Sequence, residues 1–175
     1  IVGCRENTQY GERVTKNISY EIAKNGIVTV SGLAKGVDSY AHIGCLSTYI
    51  ESKSYGKTIA VVGNGLDMVY PRENLEIAKE ILKSGGTIIS EYPCGTKPDK
   101  MNFPARNRII SGICSGIIVV EAKEKSGTLI TVDFALEQGR DVFVVPGNIN
   151  SINSVGTNEL IKQGAKMITS YIDVL

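Results

Sequence analysis

The stretch Ile27-Val-Thr-Val-Ser31-Gly32-Leu33-Ala34-Lys35-Gly36-Val37-Asp38 decides the fold. Its first five residues form a short β-branched run, which reads as a strand. Small residues then turn the chain, and an amphipathic segment over 37–52 follows as a helix. The same alternation runs through the rest of the chain. Strands are predicted at 1–3, 27–31, 58–62, 87–90, 116–120, 142–145 and 166–168. Helices are predicted near 10–24, 37–52, 73–83, 104–114, 128–138 and 158–162. The helix over 73–83 carries Ile77, Ile81 and Leu82 on one face. Asn25-Gly26, Gly85-Gly86 and Gly139 fall where helices should stop. Such alternation is the signature of an α/β protein with a mostly parallel sheet and helices on both faces.

A chain of 175 residues, 42% hydrophobic, suffices for one domain with a real core. It shows no internal domain boundary, low-complexity tract or longer repeat. Opening directly on Ile-Val-Gly, it reads as a domain cut from a longer protein. No apolar run reaches the roughly 18 residues needed to span a bilayer, and no signal-peptide pattern is present. Cys4, Cys45, Cys94 and Cys114 form no C-x-x-C pair, and His42 is the single histidine, so a Cys/His metal site is disfavoured. Buried, reduced thiols in a cytoplasmic protein are the plain reading. No cofactor is expected.

In a parallel sheet every strand ends on one edge, and ligands bind there. The unusual residues of this chain cluster at those ends. They are Arg5, 31–38, 63–71, the loop from Glu91 to Phe103, 121–128 and Pro146-Gly147-Asn148, and a shared site is expected where they meet. The most suggestive run is Asn102-Phe-Pro-Ala-Arg-Asn-Arg108, an aromatic and two arginines around a helix start. A helix N-terminus favours anions, arginine adds bidentate donors, and Phe103 offers a ring for a base. That set suits a nucleic-acid strand better than a small metabolite. With a net charge of +1, any such site must be a local basic patch.

Each candidate also has a structural reading. Phe103 is either a stacking platform or a hydrophobic staple at the helix entry. Arg106 and Arg108, two apart, cannot share a helical face; one is expected in the site and the other paired with Glu91 or Glu121. Asn107 is a loop clamp or a ligand contact. The turn at 31–38 is neither a dinucleotide fingerprint nor a P-loop, and Asp38 is expected to cap or orient the following helix. Ser126-Gly127-Thr128 is an anion cradle or a helix cap. His42 has no nucleophile partner at recognisable spacing.

Taken together, the motifs resemble the DNA-processing protein A (Smf) family. They are Ile-Val-Gly-x-Arg at 1–5, Ser-Gly-Leu-Ala-Lys-Gly-Val-Asp at 31–38, Gly-Asn-Gly-Leu-Asp at 63–67 with Tyr70-Pro71, and Phe-Pro-Ala-Arg-Asn-Arg-Ile-Ile at 103–110. Val-Val-Glu-Ala at 119–122, Ser-Gly-Thr-Leu-Ile-Thr at 126–131, Gly-Arg-Asp-Val-Phe-Val-Val-Pro-Gly-Asn at 139–148 and Gly-Thr-Asn-Glu-Leu-Ile at 156–161 complete the match. The resemblance implies an extended Rossmann-like domain, not an enzyme, that binds single-stranded DNA. It further implies protection of that strand and loading of the RecA recombinase in DNA uptake, natural transformation and recombination. A homodimer in a bacterial cytoplasm is implied as well. Carried onto this sequence, it makes Arg5, Gly32, Lys100, Phe103, Arg106 and Asn107 strand contacts, extended to Ser31, Ala34 and Ser126. The segment 48–55 looks longer than the family's usual connection, and the family's flanking modules are absent.

Two competitors are weaker. The Rossmann-like phosphoribohydrolases carry a Pro-Gly-Gly-x-Gly-Thr loop with a catalytic Glu close behind. The corresponding place here, Ser126-Gly-Thr-Leu-Ile-Thr, lacks the double glycine and the acid. A nicotinamide dehydrogenase would need a dinucleotide fingerprint, which the turn Gly3-Cys-Arg-Glu-Asn does not supply.

Overall fold

In the computed structural model, which describes residues 1–52 and 57–175, the decisive stretch folds as strand β1 (Thr29–Ser31), a turn and helix α2 (Val37–Glu51). Residues 53–55 of the connection over 48–55 lie outside the described residues. Before β1 comes α1 (Gln9–Lys24). Thr8 caps α1 by accepting from the Gly11 amide at 3.2 Å, and Ile18 and Ile22 bury one stripe of it. Then follow β2 (Thr58–Val62), α3 (Leu75–Lys83), β3 (Thr87–Ser90), α4 (Asn102–Gly112) and β4 (Gly116–Val119). The chain continues through α5 (Gly127–Glu137), β5 (Asp141–Val144), α6 (Val155–Lys162) and β6 (Lys166–Met167). Short 3₁₀ turns at Arg72–Asn74, Ile152–Ser154 and Tyr171–Val174 were not anticipated by the hydrophobic pattern.

All strand pairs are parallel, in the orders β1-β2-β3 and β4-β5-β6. The predicted first strand is reduced to a single bridge between Val2 and Val119. Its neighbours extend the contact. The Val2 amide donates to the Ile118 carbonyl at 2.9 Å, and on the other side the Ile1 nitrogen donates to the Val30 carbonyl at 2.8 Å. Residues 1–3 therefore wedge between β1 and β4 and join the two half-sheets. Strand order reverses at this seam, since connections on one side run outward through β2 and β3 and on the other through β5 and β6.

The pleat sorts the core. Val30, Val61, Ile117, Val119 and Val144 face a cluster with Ile110 of α4 and Val132 and Ala135 of α5. Ile118 and Val120 face the opposite side, against Ile18 and Ile22 of α1 and Val37 and Ala41 of α2. Ala60 and Val62 also turn that way, onto Ala78 and Ile81 of α3. Both faces of the central strands β1, β2 and β4 are thus buried, which explains why β2 and β4 read as near-continuous apolar runs, while the edge strands β3 and β6 are more exposed. Each fully buried Val or Ile contributes about 1.5–3 kcal/mol. Ile27 and Val28, assigned to the second predicted strand, are instead exposed and precede the sheet.

His42 of α2 is wholly buried, with Nδ1 2.9 Å from Thr58 Oγ1. Burial drives its pKa down to about 3. The thiols divide: Cys4 and Cys45 are buried, Cys114 is half-buried, and Cys94 is exposed on the loop after β3, against the expectation of burial. Among the described residues no helix is long and apolar enough to cross a membrane.

Candidate nucleic-acid interface

At the carboxyl ends of the strands, over the seam, lies a cleft of about 310 Å³. Four segments build it. Val2, Gly3 and Arg5 come from the seam, Ala34 and Asp38 from the turn into α2, Lys100 to Ile110 from the start of α4, and Ser126 to Thr131 from the start of α5. The loop after β2 reaches it indirectly, through Tyr70. The loop after β5 does not join it. Pro146, Gly147 and Asn148 open onto a separate cleft with Thr8, Tyr10 and Glu121, so the expected six-loop site is two sites.

Close packing holds the floor. Gly36 sits at φ 77°, and a Cβ there would lie 2.3 Å from the Cys4 carbonyl, so the turn into α2 abuts the seam segment directly. The Val37 amide donates to that carbonyl at 3.1 Å. Asp38 accepts from the amides of Gly32 at 3.1 Å and Ala34 at 3.4 Å, fixing the preceding loop as well as opening the helix.

Helix α4 starts at Asn102, two residues earlier than predicted, because Asp99 takes the Met101 amide at 2.8 Å and turns the chain sooner. Its first turn carries no acid, and Met101 at its start supplies no side-chain cap, so amides of that turn are left open towards the cleft beyond the one Asp99 takes. Phe103 consequently lies inside the first turn, whereas a staple residue would precede the cap. Its half-buried ring stacks on Tyr70, with centroids 5.6 Å apart and planes at 21°. The Arg5 guanidinium stands 5.5 Å from the same ring.

The two arginines separate as expected. Arg108 pairs at the surface with Glu91. Glu121 is instead buried at the start of α1, accepting from the Thr8 amide at 2.9 Å and the Thr8 hydroxyl at 2.5 Å. Arg106 lines the cleft but is only 4% exposed. It donates through Nη1 to the carbonyls of Gly32, at 2.9 Å, and Val61, and through Nε to Asn107 Oδ1 at 3.2 Å. Burial lowers its pKa, and nearby Asp38 opposes that shift. Arg106 therefore ties α4 to the ends of β1 and β2.

Of the nine residues singled out by sequence, Arg5, Ala34, Lys100, Phe103, Arg106, Asn107 and Ser126 line this cleft. Ser31 and Gly32 stand behind it. The Ser31 hydroxyl is buried and donates to the Ile1 carbonyl at 2.7 Å. Gly32 makes room for the Asp38 carboxylate and Arg106 guanidinium, which a Cβ would meet at 2.5 and 2.6 Å. Ser126 caps α5, accepting from the Thr128 amide at 3.2 Å. Tyr70, part of a quoted motif but not a candidate, is the residue the sequence reading missed. Its adjacency to Phe103 crosses 33 residues of chain, and no local pattern signals it.

Charge is distributed unevenly. On the outer helices lysines are neutralised by neighbours: Lys16 with Glu12, Lys79 with Glu76, Lys83 with Glu80 and Lys162 with Glu159, at 2.6–3.2 Å. Arg5, Lys97, Lys100 and Lys125, in the cleft or on its flanking loops, take part in no ion pair among the described residues. Arg13, Lys57, Arg72, Arg140 and Lys166, elsewhere on the domain, also take part in none among the described residues. A nearly neutral chain thus carries a local cluster of free cations beside an aromatic ring.

Fold and cleft define a Rossmann-like α/β domain whose binding edge lies at a strand-order reversal. The family model for DNA recombination-mediator protein A matches residues 1–175, and the chain belongs to that family. DNA processing protein DprA of Bacillus subtilis is 48% identical over 174 residues, 99% of this chain and 56% of the relative. Protein Smf of Escherichia coli is 43% identical across the whole chain, which covers 45% of the relative. The chain therefore spans about half the length of the curated relatives it matches. The solved structure of DprA from Streptococcus pneumoniae superposes with a TM-score of 0.87 at 45% identity, over 99% of this chain and 58% of that one. DNA processing protein A from Helicobacter pylori, solved to describe its single-stranded DNA binding mode, also scores 0.87, at 34% identity over 99% and 75% of the two chains. A molybdenum cofactor binding protein from Rippkaea orientalis, at 0.62 and 17% identity, shares the fold alone.

Proposed function

We propose that this domain is a single-stranded DNA-binding module, acting by binding and not by catalysis, with the cleft over the seam as its site. The observation that carries the reading is the cluster of unpaired Arg5 and Lys100 around the Phe103 ring, on a chain whose outer lysines are largely ion-paired. Cations and the uncapped start of α4 suit phosphates, and Phe103 suits a base. Arg5, Lys100, Phe103 and Asn107 are the direct contacts in this reading, while Arg106, Ala34 and Ser126 shape the walls. The single-strand binding mode described for the H. pylori relative supports it.

Family membership extends the proposal to protecting incoming strands and loading RecA during DNA uptake and recombination in a bacterial cytoplasm. A homodimer is part of it. Ile149, at 87% exposure, and Ile152, at 70%, offer apolar side chains to a second copy. The deciding measurement compares single- and double-stranded DNA by fluorescence anisotropy at two salt concentrations. A tenfold or greater preference for the single strand, weakening as salt rises, is the expected outcome; equal affinity overturns the proposal.

A further inference from the structure

We infer that the strand-binding surface continues past the cleft over Tyr70 and Arg72, giving a single strand a second base-stacking step and a further phosphate contact. The inference rests on the reading of the cleft as a single-strand site and specifies how far that site reaches. Tyr70 does not line the cleft, yet its ring lies nearly parallel to Phe103 and remains 46% exposed. Two offset rings, the second turned towards solvent, present aromatic surface beyond what one base covers.

The ring is held from both sides. The loop preceding it is tied to the loop after β3, with the Gly65 amide donating to the Thr96 carbonyl at 2.9 Å and the Gly95 amide donating to Asp67 Oδ1 at 2.8 Å. The turn following it is tied to the cleft wall, where buried Asn74 donates to the carbonyls of Leu33 at 2.9 Å and Ala34 at 3.2 Å. A ring already positioned this way loses little freedom on binding. Directly after Tyr70 and Pro71, the exposed Arg72 takes part in no ion pair among the described residues. Its neighbour Glu73 is instead occupied by Lys35 at 2.6 Å. Ring, ring and free cation in succession match a polymer of bases and phosphates, whereas a mononucleotide would use one ring and one cation.

Binding of oligo-dT of increasing length tests this, using the wild-type protein, Tyr70→Ala, Tyr70→Phe and Arg72→Ala, with Phe103→Ala as reference. Tyr70→Ala is expected to weaken long oligomers about tenfold, Tyr70→Phe to bind as wild type, and both Tyr70→Ala and Arg72→Ala to match wild type on oligomers too short to pass Phe103. In the wild-type protein, oligomers carrying 5-iodouracil should crosslink to Tyr70 at a position next to the one that reaches Phe103. An equal loss at every length would make Tyr70 a prop for Phe103, and no loss at any length would remove it from the surface; either result overturns the inference. Wild-type protein that fails to bind single strands, or that binds them unaffected by Phe103→Ala, would instead sink the cleft itself.

Discussion

Replacing Arg5 by alanine should change the salt dependence of strand binding by a calculable amount. Counterion release gives single strands a slope of about −0.7 in log affinity against log salt per phosphate neutralised. On an oligomer too short to reach Arg72, if Arg5, Lys97, Lys100 and Lys125 each neutralise one phosphate, the wild-type slope is about −2.8 and the Arg5→Ala slope about −2.1. Between about 50 and about 200 mM salt the wild-type affinity then falls roughly 50-fold and that of the variant roughly 18-fold. Arg5 is exposed and takes part in no ion pair among the described residues, so its loss should leave the fold intact. Lys79→Ala is the control, since Lys79 is bound to Glu76 at 2.7 Å and should leave the slope unchanged. Fluorescence anisotropy with labelled oligo-dT reads both slopes. A wild-type slope near zero, or identical slopes for wild type and Arg5→Ala, refutes the argument that free cations at the cleft hold the backbone.

Three other outcomes follow from the packing. Arg106→Ala should destabilise the fold by at least about 3 kcal/mol in chemical denaturation, because it strips the Gly32 and Val61 carbonyls of a buried charged donor; a change under about 1 kcal/mol would show the guanidinium to be dispensable. His42 titrates at about 3 when folded, against about 6.5 when unfolded, so the unfolded chain binds the extra proton between those values. Its stabilisation is complete above about pH 6.5 and declines as pH falls, by about 2 kcal/mol from pH 7 to pH 5. His42→Gln should flatten that part of the stability profile, and parallel profiles would contradict it. Gly36→Ala should lower the melting temperature sharply, since the new methyl meets the Cys4 carbonyl at a positive φ; an unshifted transition would mean that the seam gives way easily.

Local chemistry made most of the architecture readable before any coordinates. The runs at 58–62 and 87–90 became β2 and β3 with the same bounds, because β-branched residues fill them and Gly63 and Gly85-Gly86 punctuate the chain beside them. The seam at 1–3 was read as a full strand, but only Val2 forms a bridge, a distinction set by β1 and β4 on either side. Arg5, Lys100 and Phe103 could be picked out because charge and ring stand beside turn signals. The internal duty of Arg106 could not, since its acceptors at Gly32 and Val61 lie 74 and 45 residues away in sequence. Tyr70 was hidden for the same reason, as was the division of the sheet edge into two clefts. A side chain's neighbours across the sheet leave no mark on its own segment.

The ion-paired lysines of the outer helices carry one more consequence. Copies crowded side by side along one strand would meet through helices on which most lysines are already ion-paired, so little electrostatic repulsion would build up between neighbours. The same flanks would give a strand lying against them little to hold. Dense coverage of a strand and a single orientation upon it would then share one origin, outer helices whose lysines are largely ion-paired beside an edge whose cations are not.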